Sequence, residues 1–253
     1  MKKVIAILLS AAMLASFAAC SKKADETTAA ENTALEDVKG EGVMTYAEYA
    51  AADFDTEVVV ECYVQATQSW WNDTITVYAA DADGAYFIYN MACSEADSAA
   101  LVAGQKIKVT GYKSEWAGEI EIVDATFELL DGTYIATATD VTALLGTDEL
   151  INSQNQFVSF TDMVIEPSTD AQGNEVAFIY NWDGSGEDDS DLFFNVSSNG
   201  NTYTFVVESY LTGAGTDVYE TVKTLNVGDT VDMEGFLYWY EGVNPHITSV
   251  TVK

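Results

Sequence analysis

Residues 68–73 read QSWWND and set Trp70 beside Trp71 where turn-forming residues separate two alternating apolar runs. Trp116 stands in a second such turn, KSEWAGE. Aromatic faces can stack on nucleic-acid bases, where losing one face costs about 1–3 kcal/mol. They can equally stack on the apolar face of a sugar ring. Stacking is therefore the chemistry these turns could perform, and Tyr78, Tyr86 and Tyr89 lie on the runs between them. The same side chains could instead cap a barrel or pack on a neighbouring domain, because aromatics bury large apolar areas. Neighbours in an extended segment point to opposite faces, so both indoles of the pair cannot enter one core. Trp70, Trp71, Trp116, Tyr78 and Tyr86 form the first candidate ligand set, and Tyr238, Trp239 and Tyr240 form a second.

Other chemistry has less support in the residues. The single histidine is His246, and the chain has no G-x-S-x-G, Walker loop or H-E-x-x-H motif, so no catalytic residue is assigned and no enzyme is expected. No cofactor is implied. NWDGSGEDDSDL, residues 181–192, begins somewhat like an EF-hand loop but ends on Leu192 where a bidentate Glu is required. Asp183, Asp188 and Asp189 are thus only a weak calcium set, and a solvated insertion is the better reading. Lys106, Lys108 and Lys113 fall on one strand and suit an exposed edge that discourages pairing. Cys62 and Cys93 could form a disulfide in an exported chain, although Cys62 shares the alternating face of Val58, Val60 and Val64 and suits a buried thiol equally well.

The elements that carry these residues are duplicated. LVAGQKIKVTGYKSEWAG (101–118) and LNVGDTVDMEGFLYWYEG (225–242) align with Gly104, Gly111 and Gly118 on Gly228, Gly235 and Gly242, and with Trp116 on Tyr240. Ile107 and Val109 match Val231 and Met233, the inward positions of an alternating strand. The second copy is longer by about 25 residues, assigned to NWDGSGEDDSD and YLTGAGTDVYETVKT. In the first copy, strands are expected near 56–67, 73–80, 85–91, 105–115 and 119–129, with a short helix between the third and fourth. Five strands with that helix placement are the element order of an OB-fold, a Greek-key barrel that binds ligands on the face of strands two and three and the loops beside it. The fold class expected is all-β, two tandem five-stranded OB-like barrels with short helices, covering 43–131 and 132–253.

ADADGAYFIYN and the L-x-x-G-x-x-I-x-V-x-G-Y stretch resemble the OB-fold domains of bacterial surface lipoproteins and of some secreted nucleases. Asp81, Gly84, Tyr86, Leu101, Gly104, Val109 and Gly111 stand at the matching positions. The resemblance implies the barrel and says little about chemistry. At the N-terminus, Lys2 and Lys3 precede an apolar stretch that ends Ala18-Ala19-Cys20. This has the proportions of a signal peptide over 1–19 and resembles a lipobox, which would place a lipid on Cys20. Residues 20–42 are polar and read as a flexible acidic tether.

Forty-one acids face ten lysines and no arginine, a net charge of −31. Such a field repels phosphate backbones and argues against a nucleic-acid partner. The resulting expectation is a monomeric, extracytoplasmic, lipid-anchored binding module. Its ligand would be a neutral glycan, a wall component or a surface protein, held by the aromatic loops of the first barrel. Single-stranded nucleic acid and a non-binding structural spacer are the alternatives.

Overall fold

Val58, Val60, Cys62 and Val64 alternate along β1 (Glu57–Thr67), and all four are buried. This period-two pattern is repeated on each long strand and builds the first of two barrels. The computed structural model describes residues 38–253; the expected signal peptide over 1–19, the expected lipid site at Cys20 and the expected tether up to residue 37 lie outside the described residues. In chain order the first barrel contains α1 (Tyr46–Ala51), β1, β2 (Thr74–Ala80), β3 (Ala85–Ala92), α2 (Glu95–Ser98), β4 (Gln105–Trp116) and β5 (Glu119–Thr133). Its strands close in the order β1-β2-β3-β5-β4, with β3 and β5 parallel and β1 returning to β4.

The second barrel starts with β6 (Thr139–Asp140), two 3-10 turns (Thr142–Leu144 and Asp148–Ser153) and β7 (Phe157–Glu166). A small hairpin, β8 (Ser168–Thr169) and β9 (Glu175–Val176), precedes β10 (Ile179–Tyr180), β11 (Leu192–Ser198) and β12 (Asn201–Val207). Then come α3 (Ser209–Thr212), α4 (Asp217–Val222), β13 (Thr230–Phe236) and β14 (His246–Val252). Strands run β11-β12-β14-β13-β7, and β11 also pairs with β7 to close the ring. Both barrels therefore have the strand order of an OB-fold, with the third and fifth strands parallel.

Helices plug the barrels. Thr45 and Glu48 form a reciprocal capping box that starts α1, and Tyr49 from that helix enters the core beside Tyr46 and Tyr86. In the second barrel Val218, Tyr219 and Val222 of α4 do the same. Asp81 organises the turn between β2 and β3. Its Oδ1 accepts from the amides of Asp83 and Gly84, while its Oδ2 accepts from Tyr86 Oη and from Lys39 Nζ.

The lysines of β4 do not guard an edge, because closure leaves β4 paired on both sides. Lys113 is instead buried and donates to the carbonyls of Tyr49, Ala50 and Ala52, clasping the C-terminal end of α1. Burial lowers its pKa from the ordinary lysine value. Lys106 pairs with Glu61 at 2.7 Å. Cys62 and Cys93 are buried thiols, not a disulfide.

Gly111 and Gly235, matched in the repeat, both sit at register shifts between the fourth and fifth strands. A Cβ on Gly111 would lie 2.7 Å from Ile122 Cγ2 and 2.8 Å from the Val123 carbonyl; on Gly235 it would meet the His246 carbonyl. The bulge brings two backbones together and leaves no room for a side chain. Gly111→Ala and Gly235→Ala should each destabilise by about 1–3 kcal/mol. The check is urea denaturation followed by circular dichroism, with a lowered midpoint and an unchanged slope.

Candidate functional site

The outer face of β2 and β3 in the first barrel is not open. Val77 and Ala79 point into the barrel, which sends Tyr78 outward, and Phe87 projects outward between Tyr86 and Ile88 in the same way. Tyr78 and Phe87 pack against Phe236 of the second barrel, with Phe157, Leu211 and Tyr238 around them. Tyr78 stacks on Phe236 with ring centroids 4.5 Å apart, and Phe87 meets Tyr238 edge-on at 5.1 Å. The second barrel thus occupies the place a ligand would take on the first.

Polar contacts fix the seam. The side chain of Asn155 donates to the Ile120 carbonyl, Gln154 donates to the Gly118 carbonyl, and the Glu241 amide donates to the Ala117 carbonyl. Glu119 is 0% exposed, and its Oε2 accepts from the Trp239 amide at 2.9 Å and from Gln154 at 3.1 Å. Its Oε1 is buried without a hydrogen-bond partner. Burial pushes this carboxyl up to about 8, helped by nearby Glu121 and opposed by its hydrogen bonds.

The corresponding face of the second barrel is open and forms a groove of about 740 Å³. Its floor is the outer face of β11 and β12, where Phe193 and Asn195 lie beside Thr204 and Val206. One wall comes from the long β7–β11 connection, which contributes Ile179 and Trp182, and the other from the β13–β14 loop, which contributes Tyr238 and Tyr240. Trp182 is 78% exposed and Tyr240 51%, so both ring faces are available at the rim. The polar floor is internally satisfied, with Thr204 Oγ1 donating to Asn195 Oδ1 and Asn195 Nδ2 donating to the Pro167 carbonyl.

Asp191, Glu208 and His246 also line the groove, and His246 touches the first barrel through Tyr78. Asp191 Oδ1 accepts from both the amide and hydroxyl of Ser209. Glu208 caps α3, its Oε2 accepting from the Leu211 amide at 2.8 Å. Burial first, and then the neighbouring Asp191 charge, push the Glu208 carboxyl up to about 7. His246 is buried, which drives its imidazole down to about 3 and keeps it neutral. Its Nδ1 lies 2.5 Å from Tyr78 Oη, and its ring stacks on Tyr238 with centroids 4.2 Å apart.

The residues singled out from sequence separate into several environments. Trp70 packs on the core of the first barrel and donates through Nε1 to the Cys93 carbonyl at 2.8 Å. Trp71 is 74% exposed beside a tight turn in which Asn72 and Asp73 adopt positive φ. Trp116 is 62% exposed at the tip of the β4–β5 hairpin. Tyr86 is sealed inside its barrel and Tyr78 inside the seam, so neither is open to a ligand. Of the second set, Tyr238 and Tyr240 line the groove, while Trp239 turns the opposite way, onto Gly118 and the second barrel's core. Asp183 accepts from the Ser185 amide, Asp188 pairs with Lys223 at 2.9 Å, and the Asp189 amide donates to Tyr219 Oη. Among the described residues no group of His, Cys, Asp or Glu is placed to hold a metal ion.

Trp182, Phe193 and the Asp191–Glu208 pair are absent from the candidate sets read off the sequence. The repeat alignment does carry a signal for Trp182, since it lies between the first and second strands of its barrel, as Trp70 and Trp71 do in theirs. The surrounding acids draw the reading of that segment toward calcium.

No family model matches the chain, and no curated protein does. Among solved structures it is similar to the p204 HINb domain, at 11% identity and a TM-score of 0.35 over 80% of this chain and all of that one. It is also similar to the Ifi202 HINa domain in complex with 20bp dsDNA, at 10% identity and a TM-score of 0.35 over 79% of this chain and 96% of that one. A murine DNA binding protein bound with ds DNA matches at 7% identity and a TM-score of 0.36, over 77% of this chain and 96% of that one. Two of these neighbours hold double-stranded DNA. That finding corrects two expectations, that nucleic acid is an unlikely partner and that the first barrel's loops hold a neutral glycan, wall component or surface protein. Neither is carried further.

The buried acid of the seam gives a pH test. An unfolded Glu119 titrates near 4.5 and the folded one near 8. Between those values the folded chain holds a proton that the unfolded chain lacks, so this contribution is complete below the lower value and is lost as pH rises through the upper one. Glu119→Gln, which keeps a neutral group in place, should flatten the fall in stability between about pH 5 and 8. Urea midpoints measured across that range would show it; an unchanged pH slope would mean that Glu119 is already ionised in the fold.

Proposed function

We propose that this chain is a binding module, not an enzyme, for ligands that carry nucleobases, with single-stranded nucleic acid the leading case. The observation that carries this reading is the open groove over β11 and β12, which is walled by Trp182, Tyr238 and Tyr240 and floored by Phe193. Planar rings of base size stack on such faces, and the groove occupies the face that OB-folds use for oligonucleotides. We further propose that the protein is exported and held at the cell envelope by a lipid on Cys20. The Lys2-Lys3 start, the apolar run and Ala18-Ala19-Cys20 support this, as does the resemblance to OB domains of bacterial surface lipoproteins.

Charge dictates how a strand would lie. With 41 acids against 10 lysines, phosphate contacts cannot supply the affinity, so bases face the groove and phosphates face solvent. Lysine- and arginine-driven complexes weaken steeply as salt rises. Here added salt screens repulsion instead. Binding of a fluorescein-labelled single-stranded 12-mer should therefore hold level or strengthen from about 50 to 200 mM salt, as read by polarisation. Trp182→Ala and Tyr240→Ala should each cost about 1–3 kcal/mol of binding and leave thermal stability unchanged, since both side chains are exposed. Trp71→Ala, in the first barrel's loop, is the comparison. If it alone weakens binding, the site is that loop and not the groove.

A further inference from the structure

The polar end of the groove has a definite donor and acceptor pattern. Gln68 Nε2 donates to Tyr78 Oη at 3.3 Å, which directs the phenolic hydrogen toward His246 Nδ1. A neutral imidazole that accepts at Nδ1 carries its hydrogen on Nε2. In this tautomer His246 presents Nε2–H as a donor. Val206 pairs with His246 across the parallel β12–β14 ladder, and Glu208 follows two residues later on the chain. Strand alternation places Val206 and Glu208 on one side, and both line the groove with His246. The Glu208 carboxylate accepts from the Leu211 amide through Oε2 and also from the Tyr210 amide in capping α3, which leaves acceptor lone pairs unused and, among the described residues, no side-chain donor on Oε1. A histidine donor and a carboxylate with spare acceptor capacity thus line the same groove as the aromatic rim.

Resting on the nucleobase reading, we propose that the groove selects rings bearing an exocyclic amino group next to an unprotonated ring nitrogen, the edge shared by cytosine and adenine. Glu208 Oε1 accepts from the amino group, and His246 Nε2–H donates to the ring nitrogen. With Glu208 ionised, as it is above its raised value of about 7, thymine and uracil present a carbonyl and an N–H at those places, so each contact becomes acceptor against acceptor or donor against donor. A carboxylate accepting from the cytosine amino group is a recurrent pairing, and one good pair discriminates by about 1–3 kcal/mol, roughly 5- to 150-fold.

The test uses the full chain with labelled single-stranded dC, dA and dT 12-mers by polarisation, and free cytidine and uridine by calorimetry. The dC and dA strands should bind about 10-fold or more tighter than dT, within the range of one such pair. Glu208→Gln keeps an oxygen for the helix cap and turns an amide N–H₂ into the groove, so the preference should shift toward dT while the melting temperature holds. Cytidine binding as well as the strand would assign the groove to free nucleosides; a preference seen only with strands would assign it to polymers. Equal affinity for dC and dT, still lost in Trp182→Ala, would overturn the edge selection and leave stacking intact. Failure of every probe to bind would overturn the nucleobase reading itself. An unaltered preference in Glu208→Gln would remove Glu208 from the recognition.

Discussion

Tyr78 lies between Phe87 and Phe236, and its hydroxyl meets His246. This contact does more than join two barrels. It covers the strand face that the first barrel would otherwise offer and fixes the orientation of the β13–β14 loop, whose Tyr238 and Tyr240 wall the groove of the second. It also holds His246 neutral where that residue lines the groove. Burying aromatic rings on both sides of the seam supplies apolar area, and the hydrogen bonds from Gln154, Asn155 and Trp239 set its register. The open groove is consequently a product of both barrels, although its floor belongs to one.

Much of the architecture can be read in the chain because the repeat is enforced sterically. Gly111 and Gly235 recur at matched positions because each admits a neighbouring backbone at a bulge, and that demand does not depend on ligand. Alternation along Val58, Val60, Cys62 and Val64 identifies the barrel interior for the same reason. The environments of the lysines are less legible. Lys113 looks like a surface charge in the sequence of its strand, and only the fold brings the C-terminal carbonyls of α1 to its ammonium group.

The site is less legible still. Strand alternation distinguishes inside from outside, but it does not say whether the outside meets water or a second domain. Tyr78 is therefore outward-facing and inaccessible, whereas Phe193 on the equivalent strand is outward-facing and lines an open groove. Residues 238–240 illustrate the same limit at close range, for Tyr238 and Tyr240 share a side while Trp239 turns to the other. Trp182 is hidden in an acidic segment whose carboxylates turn out to serve turns, a lysine and a helix.

The covering of the first barrel's strand face has a consequence for valency. A tandem duplication ordinarily supplies two copies of a site on one chain, and linked sites gain strength through effective concentration. Here one copy's strand face has become the abutment for the other, so duplication leaves a single open strand face. Any polymer with repeated binding units would meet one such groove per molecule. Avidity would then have to come from several molecules acting together, not from the two barrels of one chain.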